Sequence, residues 1–188
     1  EILKKLREQE QSLIAVSEYV DNATVTAALK ELGMHVISSK RPDRGGGGVA
    51  LIFHPNEYEC REVLDLPRVV ENLERMVVEL WPFGRQTESS IVLYVAYATP
   101  CESVEVANDI YNVNEQLSSR SPPLYLDVVA GDVNARHSDW DVNICTRNTV
   151  GDKYRAPKRG SLLHKVFSNL GFRVFSSTSH GKSALDIV

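Results

Sequence analysis

The segment Gly131-Asp132-Val133-Asn134 follows the apolar run Leu124-Tyr125-Leu126-Asp127-Val128-Val129-Ala130, and it constrains the fold more than any other part of the chain. An apolar run of this length, bounded by turn residues, reads as a buried strand. Side chains alternate along a strand, so Asp132 and Asn134 project to the same side of its end. Asp can orient or deprotonate a water, and Asn can donate to a phosphoryl oxygen. Gly131 lets the backbone pass close to a ligand. An Asx turn closing a buried strand would satisfy the same four residues, and both readings stay open at this point.

The chain has 188 residues with 43% hydrophobic content, enough for one domain with a sizeable core. Its longest apolar runs reach about seven residues, far below a membrane span, so no membrane association is expected. The opening Glu1-Ile2-Leu3-Lys4-Lys5-Leu6-Arg7 lacks the apolar stretch of a signal peptide. Cys60, Cys101 and Cys145 are odd in number, widely spaced and without a CxxC pair, which supports neither a disulfide framework nor a zinc site. An intracellular, reducing setting is the expectation. The net charge of -4 excludes a polycation that coats nucleic acid nonspecifically. Local basic loops remain, with Lys40, Arg41 and Arg44 in one and Lys153, Arg155, Lys158 and Arg159 in another; ordinary solvated loops would look the same.

Along the chain, Ile2, Leu3, Leu6 and Gln9 mark a helical face, and Leu13-Ile14-Ala15-Val16 a strand ending at Ser17-Glu18. A helix is predicted over 24–32, stopped by Gly33, then a strand at 35–38. The turn-rich loop Arg41-Pro42-Asp43-Arg44-Gly45-Gly46-Gly47-Gly48 leads into a returning strand at 49–53, giving βαβ and a hairpin-like return. Further strands are expected at 61–66, 75–81 and 90–97, with a turn at 71–74. Helical spacing resumes at Val104, Ala107, Ile110, Tyr111, Asn114 and Leu117, and Ser121-Pro122-Pro123 ends that helix. Residues 141–160 read as a long polar loop, of the kind that often carries function. A helix over 162–170 capped by Gly171, a strand at 172–175, and the start of a strand at 184–188 complete the pattern. The four glycines lack GxxxxGK[ST] and a following helix, which excludes a P-loop.

Strand ends thus carry Glu18, Tyr97, the Asp132/Asn134 pair and Asp186. Carboxylates from separate strand ends suit a hard cation such as Mg²⁺, which takes oxygen ligands and keeps waters that a phosphate can replace. Taken singly, Glu18 also fits a cap or a solvated side chain, and Tyr97 a half-buried strand tyrosine.

The order of motifs resembles the endonuclease/exonuclease/phosphatase superfamily, most closely the apurinic-like endonuclease domain of non-LTR retrotransposons. The resemblance covers nearly the whole chain. It rests on Leu13-Ile14-Ala15-Val16-Ser17-Glu18, Asp43 to Ile52, Tyr97-Ala98-Thr99-Pro100, Gly131 to Trp140, Arg159-Gly160-Ser161-Leu162-Leu163 and Ser183-Ala184-Leu185-Asp186. It implies an α/β (α+β) fold: a four-layer αββα sandwich of two mainly antiparallel sheets flanked by helices, DNase I-like, as one domain over 1–188. By resemblance Glu18 binds Mg²⁺, with Mn²⁺ as a substitute, and Tyr97 hydrogen-bonds the scissile phosphate. Asp132 activates the attacking water, Asn134 positions the phosphate, and Asp186 orients a catalytic histidine. Lys40, Arg41, Arg44 and Arg136 would contact target-site duplex DNA.

The resemblance departs from the family pattern at both ends. The superfamily's first strand, with its metal-site asparagine, is expected before Glu1, and its closing Ser-Asp-His element beyond Asp186. None of His35, His54, His137, His164 or His180 stands in the catalytic context. The chain is therefore expected to be a fragment truncated at both ends, marginal and weakly active in isolation. Its parent would be a metal-dependent DNA endonuclease acting in the nucleus with a reverse transcriptase in the same polypeptide, leaving a 3′ hydroxyl. A phosphatase of the same superfamily acting on a phosphoinositide or nucleotide, and a decayed noncatalytic binding module, are the alternatives.

Overall fold

The computed structural model describes residues 12–40, 47–69, 73–85, 90–98, 103–133, 158–173, 176–177 and 186–187. The helical face at Ile2–Gln9, the loop residues Arg41 and Arg44, Asn134, Arg136, His137, most of the 141–160 loop with Lys153 and Arg155, Val174-Phe175 and His180 lie outside them. The described elements run β1 (Leu13–Ser17), α1 (Ala23–Glu31), β2 (His35–Lys40), β3 (Gly48–Phe53), β4 (Tyr58–Glu62), β5 (Glu74–Pro82), β6 (Ile91–Tyr97), α2 (Ser103–Ser118), β7 (Val128–Asp132), α3 (Lys158–Leu170), β8 (Ser176–Ser177) and β9 (Asp186–Ile187). The strands form two sheets, ordered β1-β3-β2 and β4-β5-β6-β7-β9-β8. All pairings are antiparallel except β6 with β7.

Three apolar clusters hold four layers together. Leu29 of α1 packs with Ile52, Ile14, Val16 and Val36 on the outer face of the small sheet. Alternate residues of the same strands, Leu13, Ala15, Ile37, Val49 and Leu51, face inward onto Met76, Val78, Leu80, Leu93 and Val95 of the large sheet. The opposite face of the large sheet, with Val77, Val92, Tyr94 and Val129, meets Val106, Ile110, Val113 and Leu117 of α2 and Leu163 and Phe167 of α3. Period-2 alternation in β1, β2, β3, β5, β6 and β7 thus builds the expected αββα sandwich. Each fully buried Leu, Ile or Phe contributes about 1.5–3 kcal/mol relative to exposure. Asn22 caps α1 by accepting from the Thr24 amide at 2.8 Å, and Gly33 at φ 72 ends its turn.

Several expectations are corrected. β1 and β2 are not neighbours: β3 enters between them, antiparallel to both, and pairs with β2 from His35↔Phe53 to Lys40↔Gly48. β4 covers Tyr58–Glu62 rather than 61–66; Val63 and Leu66 are buried in the helix-side core, which explains their apolar signal. β7 begins only at Val128. Upstream of it, the Leu124 and Leu126 amides donate to Leu117 O and Asn114 Oδ1 of α2, and the Asp127 carboxylate takes the Val92 amide, so those groups leave the ladder. Tyr111 points to solvent at 48% exposure. Its place on the inner face is held by Val106, Val113 and a buried Asp109. α3 starts at Lys158, so Lys158 and Arg159 are helical rather than in a loop. Phe172 stands outside any strand and packs edge-on against Phe167 at 5.8 Å.

Candidate active site

The site is built by strand register. Tyr97 lies opposite Asp132 in the parallel β6/β7 pair, and Asp132 opposite Asp186 in the antiparallel β7/β9 pair. The three predicted residues therefore form a single row across neighbouring strands spaced about 4.8 Å apart. The row continues to Glu74, opposite Tyr97 on β5. Alternation fixes the face: Met76 and Val78, Val95, and Val128 face the small sheet, so Glu74, Tyr97 and Asp132 do too. Glu74 is buried, while Tyr97 and Asp132 are half-buried. The row thus marks one end of the cleft between the sheets.

Two local devices hold it there. Gly131 has φ 122, and a Cβ at this position would stand 1.9 Å from the Ala96 carbonyl oxygen, so only glycine lets β7 run this close to β6. Beyond the last paired residues, the Ala98 amide donates to Asp132 O at 2.9 Å, which extends the pairing past Tyr97 and fixes both backbones.

Glu18 comes from the other sheet. β1 runs antiparallel to β3, Ser17 lies opposite Val49, and the Tyr19 amide donates to Gly48 O at 2.9 Å. β1 also packs against β6 and β7, so its C-terminal end delivers Glu18 toward the row. Glu18 is exposed and is the non-glycine residue with a left-handed backbone among the described residues, at φ 54. That conformation costs about 1–2 kcal/mol for an ordinary residue. Strain of this kind collects at functional sites.

Lys40 ends β2 at the same edge, opposite Gly48, and its ammonium lies 3.3 Å from the Asp21 carboxylate. Both side chains are exposed, so the pair is weak and leaves the ammonium available to an anion. Arg41 and Arg44 follow directly on the connection out of β2. Sequence reasoning missed Glu74, which it placed in a turn, because it follows Glu71-Asn72 and precedes Arg75, so the apolar run begins only at Met76. His35, which the sequence already set apart from the catalytic context, packs edge-on to Phe53 at the opposite end of the small sheet. Among the described residues no group of three His, Cys, Asp or Glu side chains forms a metal cluster. No described helix is long and apolar enough to cross a membrane.

No protein-family model and no characterised protein matches this sequence. Solved structures do match in shape. The endonuclease domain of TRAS1, a telomere-specific non-LTR retrotransposon, superposes with a TM-score of 0.67 at 16% identity, covering 99% of this chain and 75% of that one. An AP endonuclease from Archaeoglobus fulgidus gives 0.54 at 14% identity, over 99% of this chain and 78% of its own. The chain shares the fold of these structures, the fold expected from the resemblance to the endonuclease/exonuclease/phosphatase superfamily. A family protein of that description from Bacteroides thetaiotaomicron is similar at a TM-score of 0.53 and 12% identity. The 2',3'-cyclic phosphatase ANGEL2 matches at 0.55 and 16% identity, where this chain spans 42% of its length. At such identities the likeness is one of fold.

Proposed function

We propose that this chain is a phosphodiesterase domain of retroelement type, which nicks target DNA with a divalent metal and leaves a 3′ hydroxyl. The observation that carries the reading is the cross-strand row Glu74-Tyr97-Asp132-Asp186, at the end of the cleft to which β1 brings the strained Glu18. The donors fit a hard cation in kind: Mg²⁺ is habitually held by one or two carboxylates, with water and substrate oxygens completing the shell. Glu18 would hold it, and Mn²⁺ would substitute; such an ion stabilises charge that develops on phosphoryl and leaving oxygens. Asp132 accepts a proton from the attacking water and aligns it. The Tyr97 hydroxyl donates to a non-bridging phosphate oxygen, and Asn134 acts alongside it. Asp186, one strand further on, positions the partner that faces the leaving group. Lys40, Arg41, Arg44 and Arg136 contact the flanking backbone. A reverse transcriptase in the same polypeptide and a nuclear place of action belong to this reading.

The test is nicking of supercoiled plasmid in Mg²⁺ by the polypeptide that carries this chain, with polymerase extension of the nick to report a 3′ hydroxyl. Asp132→Asn is expected to lower the rate roughly 10²–10⁴-fold without loss of fold. Nicking that survives in Asp132→Asn, or its absence in the wild type, would sink the proposal. Release of inorganic phosphate from a nucleotide instead of nicking would point to the phosphatase alternative.

A further inference from the structure

Arg68 lies on the connection between β4 and β5, at the same end of the sandwich as the row. Its Nη2 donates to Ser39 Oγ of β2 at 3.2 Å and to the Arg75 carbonyl oxygen of β5 at 3.4 Å. It therefore bridges the two sheets beside Glu74, one residue from the row's outer end. Ser39 faces the cleft, since Ile37, two residues before it, packs in the inter-sheet core.

The electrostatic setting of Arg68 differs from that of the other half-buried or buried arginines. Buried Arg75 pairs with Asp109 at 2.7 Å and half-buried Arg120 with Asp65, and even the exposed Arg61 pairs with Glu79. Arg68 is half-buried, yet its described contacts are to two neutral oxygens, and no carboxylate pairs with it among the described residues. Asp109 is taken by Arg75, so Arg68 makes no ion pair of its own among the described residues. Burying part of a guanidinium without a counter-charge is unfavourable unless an anion completes it. Both bonds come from one nitrogen, which leaves Nε and Nη1 donors in the planar fork that matches phosphate oxygens.

The geometry points to Arg68 as a binding residue for a substrate backbone phosphate that flanks the scissile one. The inference rests on the phosphodiesterase reading above and deepens it. β5 stands two strands from β7, so Arg68 is roughly 10 Å from Asp132 across the row. With phosphates about 3.4 Å apart along the axis of one strand, this distance corresponds to a phosphate one to three nucleotides from the cut. Clamped to both sheets, the guanidinium is held in place before substrate arrives, which spares the ordering cost of a mobile side chain. Arg68 would thus anchor one side of the bound strand while Lys40 touches the other flank of the hairpin.

The experiment measures duplex DNA affinity by fluorescence anisotropy without divalent metal, over about 50 to 200 mM salt, for the wild type, Arg68→Gln, Arg68→Lys and Ser39→Ala. Arg68→Gln is expected to bind about tenfold more weakly. Its log-log salt slope should be smaller than wild type by about 0.9, the release of one counterion. Arg68→Lys should restore most of the slope, and Ser39→Ala should keep it, because the charge remains. In nicking assays Arg68→Gln should raise KM with kcat nearly unchanged. An unchanged slope in Arg68→Gln, or an equal fall in Ser39→Ala, would mean that Arg68 is only an inter-sheet clamp. A wild type that binds no duplex overturns the parent reading and this inference with it; wild-type binding with an unaltered Arg68→Gln slope overturns this inference alone.

Discussion

Glu74 and Arg75 are adjacent in sequence and occupy the first two positions of β5, yet alternation sends them to opposite faces of the large sheet and to different work. Arg75 points toward the helices, where its Nε meets Asp109 Oδ2 as a charge contact and its guanidinium donates to the Leu66 and Pro67 carbonyls at 2.9 and 2.8 Å. Asp109 also accepts from the Tyr94 hydroxyl at 2.8 Å and from the Val69 amide at 3.0 Å. Burial, and then the Asp109 charge, push the Tyr94 phenol well above its usual range, so it stays protonated and donates. Charge there is answered inside the chain. On the other face Glu74 heads a row of acidic and phenolic groups at the end of a cleft, joined by a strained and exposed Glu18. The contrast separates polar burial that fixes the fold from the polar alignment on which the proposed function rests.

Substituting on the two faces should dissociate activity from stability. Asp132→Asn should remove nearly all nicking, as stated above, while the melting temperature stays within a few degrees of wild type. Asp109→Ala should do the reverse. It leaves Arg75 buried without its counter-charge, which costs roughly 3–5 kcal/mol and shows as an early urea midpoint. Any remaining folded protein should nick at a normal rate. If Asp109→Ala abolished catalysis in fully folded protein, the helix-side network would have to be counted as part of the site.

Glu18 offers a finer version of the same test. Glycine adopts the left-handed region freely, so Glu18→Gly removes backbone strain of about 1–2 kcal/mol, offset in part by the greater freedom of an unfolded glycine. The side chain is exposed, so little packing is lost. The variant should melt at or slightly above the wild-type temperature and lose Mg²⁺-dependent activity. A clear destabilisation would show that Glu18 is a structural residue, and the site would lose its metal ligand.

The layers were legible in the sequence because short continuous apolar runs at 13–16, 49–53 and 91–97 mark strands covered on both faces, and the helical spacing near 103–118 marks a helix with one buried face. The row was legible in part. Tyr97, Asp132 and Asp186 stood out as polar residues ending apolar runs, whereas Glu74 begins its strand after a polar stretch and so reads as a turn. Register could not be read: that Tyr97, Asp132 and Asp186 align depends on pairing between segments far apart in the chain, and on Gly131 admitting the Ala96 carbonyl. Arg68 was hidden for the same reason, since its partners Ser39 and Arg75 belong to different sheets. The strand expected at 124–127 failed because Asn114 and Asp127 take over backbone bonding, a side-chain competition that hydropathy does not register.

The smallest effect concerns the far end of the inter-sheet core. Cys60 lies opposite Leu80 on β4, away from the row, and packs against the apolar cluster between the sheets. Burial raises its thiol from 9.0 to about 11. Below pH 9 the thiol is neutral in both folded and unfolded chains, so it adds no pH dependence. Between roughly 9 and 11 the unfolded chain ionises first and binds fewer protons, so stability falls as pH rises through that window. The partial exposure of Cys60 keeps the change small. Alkylation read at the Cys60 peptide by mass spectrometry should be slow in folded protein at pH 9, fast in urea, and should accelerate in the folded state toward pH 11. Rapid alkylation of folded protein at pH 9 would mean that the two sheets separate readily at this end, and the apolar end of the cleft would then be no more closed than the end that carries the row.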